Sequence, residues 1–199
     1  MLIWFYINLT AKSLSNLKAL LVKYKSVIKF ILTFLFVYLV LSFSYKLYLD
    51  FSNGSKYYPD YITNLVARQT NMLLNGYEYD SKMLPHPDEP SMKVILNGKY
   101  VARIIEGCNG ISVLILFVSF IVAFADRIRN TFFYILAGCI LIYAVNLFRI
   151  AVISIWLYHY PWRRDILHSI IFPLIIYGMV FILWMFWVNH FSKSKKISA

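Results

Sequence analysis

Four long apolar stretches dominate this chain and restrict the folds open to it. They cover residues 30–49, 107–125, 131–158 and 166–188, and each meets the roughly 17 to 20 residues that a helix needs to cross a membrane. Of the 199 residues, 60% are hydrophobic, compared with roughly half in soluble domains. No small-residue cleavage pattern follows the first stretch, which favours a retained anchor over a removed signal. The sequence therefore predicts an all-α membrane protein with four transmembrane helices.

Basic residues are concentrated in three places outside these stretches. Lysines occupy the N-terminal segment 1–29, two arginines lie in the joint 127–129, and lysines recur in the tail 191–199. Segment 50–106 instead holds six basic and seven acidic residues. Because loops rich in Lys and Arg stay on the cytoplasmic side, we expect cytoplasmic ends, an extracytoplasmic segment 50–106 and a transmembrane core 107–190. The net charge of +11 is then a sign of topology in a cell inner membrane and not of nucleic-acid binding.

The extracytoplasmic segment carries its own folding signals. Apolar residues recur at helical spacing over 57–74, and Asn75-Gly76 follows as a stop signal. Residues 85–90 are too rich in proline for regular structure. Two short strands, 92–96 and 99–104, flank Asn-Gly, which is a strong hairpin signal. We therefore expect a small helix plus a β-hairpin inserted between the first two transmembrane helices, 30–49 and the one that begins at 107.

Three polar residues lie inside or against apolar stretches, where polarity is costly. Cys108 opens the second stretch, Arg149 interrupts the third, and His168 lies near the start of the fourth. If the third helix enters from the cytoplasm near Thr131, Arg149 lies 18 residues further on, about 27 Å across a layer of about 30 Å. All three residues are then expected at the outer face. Asn146 shares a helix face with Arg149 because the two are three residues apart.

A thiol, a guanidinium and an imidazole in one place favour acyl transfer. Cys108 would attack a peptide carbonyl, His168 would take the thiol proton, and Arg149 would stabilise the oxyanion or hold a charged group of the substrate. The resulting thioester would pass to water or to an amine. This chemistry needs no metal and no other cofactor. We expect Cys139 to be an inert mid-span residue, too deep to form a disulfide with Cys108.

The same residues resemble a known family. The run 106–111, Glu-Gly-Cys-Asn-Gly-Ile, and the run 146–149, Asn-Leu-Phe-Arg, resemble the Glu-x-Cys-Ser-Gly and Asn-x-x-Arg motifs of exosortases and archaeosortases, and His168 lies where the third polar residue of that family does. The resemblance covers about residues 100–188 and is greatest to the exosortase F subgroup. Asn109 replaces the usual Ser, and Ser169 replaces a common Asp.

The resemblance implies a multi-pass membrane cysteine transpeptidase or protease. Members process proteins with a C-terminal sorting signal, which consists of a short motif, a hydrophobic span and a basic tail. Cys108, Arg149 and His168 would be catalytic, and Glu106, Asn109 and Asn146 would bind or orient the substrate. With Ser169 in place of Asp, the acidic candidates for orienting His168 are Asp165 and Glu106. The substrate motif, the acceptor and the oligomeric state stay open.

Other interpretations of the same residues are open at this point. Arg149 fits an interfacial residue whose guanidinium reaches the membrane surface, and His159 is an alternative to His168 in the site. A non-catalytic assembly or transport subunit would use Arg149 and Asn146 only to hold helices together. A transferase that acts on lipid-linked substrates would need a polar groove for the headgroup. Labelling of Cys108 by a membrane-impermeant thiol reagent distinguishes the enzyme from the assembly subunit.

Overall fold

The structure, a computed structural model, describes residues 22–52, 57–125, 127–163 and 171–191. The chain is mostly helical with one small sheet. Its helices and strands follow in this order: α1 Lys25–Ser52, α2 Tyr61–Gly76, β1 Ser81–Pro85, β2 Met92–Leu96, β3 Lys99–Ile104, a 3-10 turn Glu106–Cys108, α3 Ile111–Ala123, α4 Ile128–His159, a 3-10 turn Pro161–Arg163 and α5 Phe172–Phe191.

Three helices are long and apolar enough to cross a membrane, within the ranges that the structure describes. They are Lys25–Ser52, Ile128–His159 and, within α5, Pro173–His190. The 32 residues of α4 give a helix of about 48 Å, longer than the hydrocarbon layer of about 30 Å. Large apolar side chains remain exposed along α1, as expected for a surface that faces lipid: examples are Leu32, Phe36, Leu39 and Phe43. These features identify a membrane protein.

The second predicted span is shorter in the structure than in the sequence. The apolar stretch 107–125 is α-helical only over Ile111–Ala123, which is 13 residues or about 20 Å. The preceding residues form the 3-10 turn, and Gly110 enters the left-handed region with φ +86° just before the helix begins. Hydrophobicity alone did not predict this break, because the two glycines and the asparagine at the start of the stretch change its average hydropathy little.

The module between α1 and α3 consists of α2 and a three-stranded antiparallel sheet in the order β1-β2-β3. Helix α2 begins after Asp60, whose carboxylate accepts hydrogen bonds from the N–H groups of Ile62 and Thr63 at 2.9 and 3.0 Å. The predicted hairpin is confirmed with the same strand bounds. Its Asn97 and Gly98 both have positive φ, as a two-residue hairpin turn requires.

Strand β1 was not predicted. Ser81–Pro85 pairs with β2 from Ser81 opposite Leu96 to Pro85 opposite Met92. Its sequence contains no β-branched or aromatic residue, so it has no local strand signal of its own. Pro85 is tolerated because β1 is an edge strand and the proline is its last residue. The segment between α1 and α3, predicted as a helix plus a hairpin, therefore contains a helix plus three strands.

Two apolar clusters hold the fold together. The first joins the module to the second half of α4, with Val66, Leu74 and Val94 packed in one cluster with Ile150 and Ala151. The second lies among α3, α4 and α5 and contains the fully buried side chains Phe117, Ile121, Ile142, Val180 and Trp187. Helix α4 therefore belongs to both clusters. Arg149 is next to Ile150 of the first cluster, so it lies where α4 leaves the helix bundle and meets the module.

Candidate active-site cavity

A cavity of about 520 Å³ opens between β3, the turn before α3, α4 and α5. Its apolar walls come mainly from α4 and α5. Its polar lining residues are Arg103, Cys108, Asn146, Arg149, Ser154 and Tyr177. The cavity is large enough for a small molecule or a short peptide segment. It brings together Cys108, Asn146 and Arg149, three of the six site residues predicted from the sequence.

Cys108 is fixed by the backbone of the short turn that precedes α3. Its N–H donates to the carbonyl of Ile105 at 2.9 Å, which closes the 3-10 turn. Its own carbonyl accepts a hydrogen bond from Asn146 Nδ2 at 2.9 Å. Asn146 is buried in the middle of α4, so this bond ties the turn to the long helix. The thiol itself is half-buried and free of any disulfide, as is Cys139.

Gly110 permits this approach of the turn to α4. It has φ +86°, a conformation that side chains with a Cβ rarely adopt. A Cβ at this position would lie 3.1 Å from Asn146 Nδ2 and 3.2 Å from Asn146 Cγ. The residue after Asn109 therefore needs to be glycine for two independent reasons, its backbone conformation and the space that Asn146 occupies.

Asn109 holds the turn from the opposite side. Its Oδ1 accepts from the N–H of Ile111 at 3.0 Å, and its Nδ2 donates to Tyr45 Oη at 2.7 Å and to Thr63 Oγ1 at 3.2 Å. The side chain is fully buried and does not line the cavity. Asn109 therefore joins α1, α2 and α3 around the turn, and its role in binding or orienting the substrate stays a prediction. An Asn beside a glycine at the start of a helix is a capping signal that the sequence did contain.

Arg149 is the charged partner of the thiol. Its guanidinium lines the same cavity as Cys108 and Tyr177 and lies within the range of electrostatic interaction with both. Its Nε is buried and has no hydrogen-bond partner among the described residues. Because an unpaired buried donor is costly, a ligand that formed a hydrogen bond with this nitrogen would remove that cost. Arg149 is partly buried and lines the cavity, which favours an inward role for its side chain over contact with lipid.

Ser154 is a lining residue that the sequence interpretation missed. It is fully buried and donates to the carbonyl of Ile150 at 2.8 Å, four residues earlier in α4. Asn146, Ile150 and Ser154 are spaced four residues apart and therefore share one face of the helix. The sequence did contain a signal for Ser154, namely its spacing of eight residues from Asn146. Polar residues at i and i+8 on one face of an apolar helix indicate a shared polar environment.

The remaining predicted residues lie elsewhere. His168 and Asp165 are outside the described residues. Glu106 is exposed and does not line the cavity, which gives no support to a role in substrate contact. His159, the alternative to His168, also does not line it: its Nε2 lies 3.1 Å from Tyr79 Oη at the end of α4.

The charge of the cavity lining is positive. No Asp or Glu is present among its lining residues in the described part of the chain, whereas Arg103 and Arg149 both are. Arg103 is paired with Glu89, since its Nη1 lies 2.6 Å from both carboxylate oxygens. This hydrogen bond holds the pKa of the Glu89 carboxyl below its ordinary value. Among the residues that the structure describes, Arg149 is thus the lining cation without a carboxylate partner, and it lines the cavity together with Cys108.

A metal centre has no basis in the ranges that the structure covers, because no group of three or more His, Cys, Asp and Glu side chains is placed to hold an ion. Comparison of the whole chain with protein-family models, with curated proteins and with solved structures gives no match. The cavity and the sequence motifs are therefore the features that indicate a function for this protein.

Proposed function

We propose that this protein is a membrane-embedded cysteine protease or transpeptidase of the exosortase type. The observation that carries the proposal is that Cys108 and Arg149, 41 positions apart in the sequence, line one cavity and interact there. A thiolate is the reactive form of cysteine, and a neighbouring cation stabilises it. The substrate would be a protein whose C-terminal sorting signal consists of a short motif, a hydrophobic span and a basic tail.

The proposed reaction has two steps. In the first, the Cys108 sulfur bonds to the carbonyl carbon of the scissile peptide, and the thiol proton passes to the imidazole of His168. The carbonyl oxygen becomes an oxyanion, which the guanidinium of Arg149 in the cavity lining is suited to stabilise. The carbon–nitrogen bond then breaks, and the imidazole returns the proton to the leaving amine. In the second step, water or an amine attacks the thioester and releases the thiol.

The membrane arrangement is part of the proposal. We infer four spans with both ends in the cytoplasm of a cell inner membrane, in which the short α3 completes its crossing together with the turn before it. The cavity then lies at the outer face, beside the module formed by α2 and the sheet. This arrangement is supported by the position of Arg149 at the boundary between the helix bundle and the module. A substrate anchored by its own C-terminal span would present its cleavage motif at this level.

The test compares the two cysteines of the chain. Cys108→Ala should abolish processing of a co-expressed protein that carries such a sorting signal, while membrane insertion is unchanged. Cys139→Ala is the matched control, because Cys139 packs in the helix bundle next to Phe117 and its neighbours and not in the cavity. Processing that continues in the Cys108→Ala variant would remove the enzyme interpretation.

A second measurement separates the enzyme from an assembly subunit. In the Cys139→Ala background, a membrane-impermeant maleimide should label Cys108 at neutral pH, and Arg149→Gln should slow this labelling because the thiolate loses its cation. An assembly subunit in which Arg149 only joins helices gives no such dependence of the labelling rate on Arg149.

A further inference from the structure

Strand β3 is an edge strand, and its C-terminal half lines the cavity. The sheet order β1-β2-β3 leaves β3 with β2 as its one strand partner among the described residues. Four consecutive residues, 102 to 105, line the cavity. Successive side chains of a strand point to opposite faces, so a cavity on one face of the sheet would meet every second residue. Three consecutive residues of β3 and Ile105 after it therefore line the cavity, which is the pattern that a cavity along the edge of the strand would give.

The backbone at this edge is available for pairing. An edge strand directs one row of N–H and C=O groups away from its sheet. Between Ala102 and Ile104, no backbone hydrogen bond outside the β2–β3 pairing is present in the described part of the chain. The side chain of Arg103 is held by Glu89, so it has a fixed position.

The edge also leads directly to the nucleophile. Ile105 follows β3 and accepts the hydrogen bond of Cys108 N–H, so the edge and the thiol are connected by a single turn. A peptide paired along residues 102 to 104 advances about 3.4 Å per residue and therefore needs only a few residues to reach Cys108. The opposite wall is formed by apolar side chains of α4 and α5, including Ile153, Leu157 and Ile176. Those apolar side chains would contact the alternate side chains of an extended peptide that lie on one face of the enlarged sheet.

We propose that the polypeptide substrate binds as an additional β-strand on the free edge of β3, and that this pairing brings its scissile carbonyl to Cys108. This inference rests on the proposed function, since it supplies the way in which that site holds its substrate. Backbone hydrogen bonds supply affinity in this mode of recognition, and pockets for alternate side chains supply specificity. The occupant is an extended peptide, not a lipid headgroup and not β3 of a second copy.

The test uses thiol–disulfide exchange, which needs a reachable thiol but neither His168 nor turnover. The probe is a pentapeptide of alternating threonine and valine that ends in cysteine, supplied as its mixed disulfide with thionitrobenzoate. Cys108 attacks the peptide sulfur, a new sulfur–sulfur bond forms, and thionitrobenzoate leaves with the electron pair, so no oxidant is needed. The protein is the full chain with Cys139→Ala in detergent micelles, and the released thionitrobenzoate is measured by its absorbance.

Two N-methylated copies of the probe make the test specific for strand pairing. In one copy the odd-numbered amides are methylated and in the other the even-numbered ones, so only one copy loses the N–H groups that face β3. We expect the unmodified peptide to react faster than the mixed disulfide of cysteamine. We expect one methylated copy to react about tenfold more slowly than the unmodified peptide, the effect of losing one or two hydrogen bonds, and the other copy to react at the unmodified rate.

Several outcomes would overturn the strand model. The first two are equal exchange rates for the peptide and the cysteamine reagent, and equal exchange rates for all three peptides. The other two are an equally slow reaction of both methylated peptides, and a Cys108 thiol that reacts with none of the reagents. The processing assay with Cys108→Ala is read separately. Loss of processing in that variant, combined with equal rates for the peptides, would support the enzyme and reject strand pairing. Continued processing in that variant, combined with a slower rate for one methylated peptide, would indicate a peptide-binding site without catalysis.

Discussion

Gly110→Ala tests how the turn that carries Cys108 is held against α4. The added Cβ has two costs. Alanine at φ +86° costs about 1–2 kcal/mol because the left-handed conformation brings Cβ against the backbone. The Cβ also meets Asn146 Nδ2 at 3.1 Å, so this amide has to move by a few tenths of an ångström, which lengthens its 2.9 Å hydrogen bond to the Cys108 carbonyl. Weakening that buried bond adds about 1 kcal/mol.

The two costs can be measured separately because the chain contains a second glycine with the same conformation. Gly98 has φ +78° and no neighbouring atom within 4 Å of a Cβ placed on it. Gly98→Ala therefore carries the conformational cost alone, about 1–2 kcal/mol, whereas Gly110→Ala should lower the free energy of unfolding by roughly 2–3 kcal/mol. The assay is unfolding in mixed micelles titrated with a denaturing detergent, with the rate of maleimide labelling of Cys108 as a second readout.

A double-mutant cycle completes the test. If the extra cost acts through the amide, Gly110→Ala should be less destabilising in an Asn146→Ala background, since the side chain that it meets is then absent. Labelling of Cys108 should also change in Gly110→Ala and not in Gly98→Ala. Equal destabilisation by the two glycine variants, with no coupling to Asn146, would refute the idea that Gly110 makes room for the Asn146 amide.

Three further changes give distinct results. Gly138→Ala places a Cβ in overlap with the ring of the fully buried Phe117, so it should lower stability in micelles by about 1–3 kcal/mol, and adding Phe117→Leu should restore part of the loss. Asn109→Ala removes the side chain that joins the turn to α1 and α2 and should lower the unfolding free energy by about 1–2 kcal/mol; an unchanged midpoint would contradict this role. Because Arg103 depresses the pKa of Glu89, the stabilisation from this pair is present above the ordinary pKa of Glu and is lost as the pH falls through the lower folded value. Sheet stability measured by hydrogen exchange should show this acid dependence in the native chain and lack it in Glu89→Gln.

The parts of the fold that the sequence predicted correctly are those set by local chemistry. The bounds of β2 and β3 follow from Asn97-Gly98, because a two-residue turn fixes which residues lie opposite each other. Helix α2 ends at Gly76, where the stop signal lies, although it begins at Tyr61 and not near residue 57. Strand β1 was missed because it exists only through its pairing with β2, a contact between segments that no local pattern encodes.

The site was also predicted only in part, because local sequence patterns do not encode contacts between distant segments. Cys108 and Arg149 were found because a thiol and a guanidinium are conspicuous in apolar stretches, and helix geometry alone placed them at one level. The roles of Asn109 and Ser154 were not found, since an amide or a hydroxyl next to apolar residues is equally consistent with capping, with backbone bonding and with substrate contact. Only the three-dimensional arrangement shows that Asn109 points away from the cavity and that Ser154 lines it.

Hydrogen bonds from several elements hold the turn that carries Cys108. Cys108 bonds to Ile105 after β3 and to Asn146 of α4, and Asn109 bonds to α1 and α2. These contacts lie around the first apolar cluster, whereas Gly138 and Phe117 belong to the helix bundle that contains the second. Stability and thiol reactivity should therefore be separable. Gly138→Ala should loosen the bundle without changing the surroundings of the Cys108 sulfur. Gly110→Ala should change both, because its cost arises at the hydrogen bond that positions Cys108.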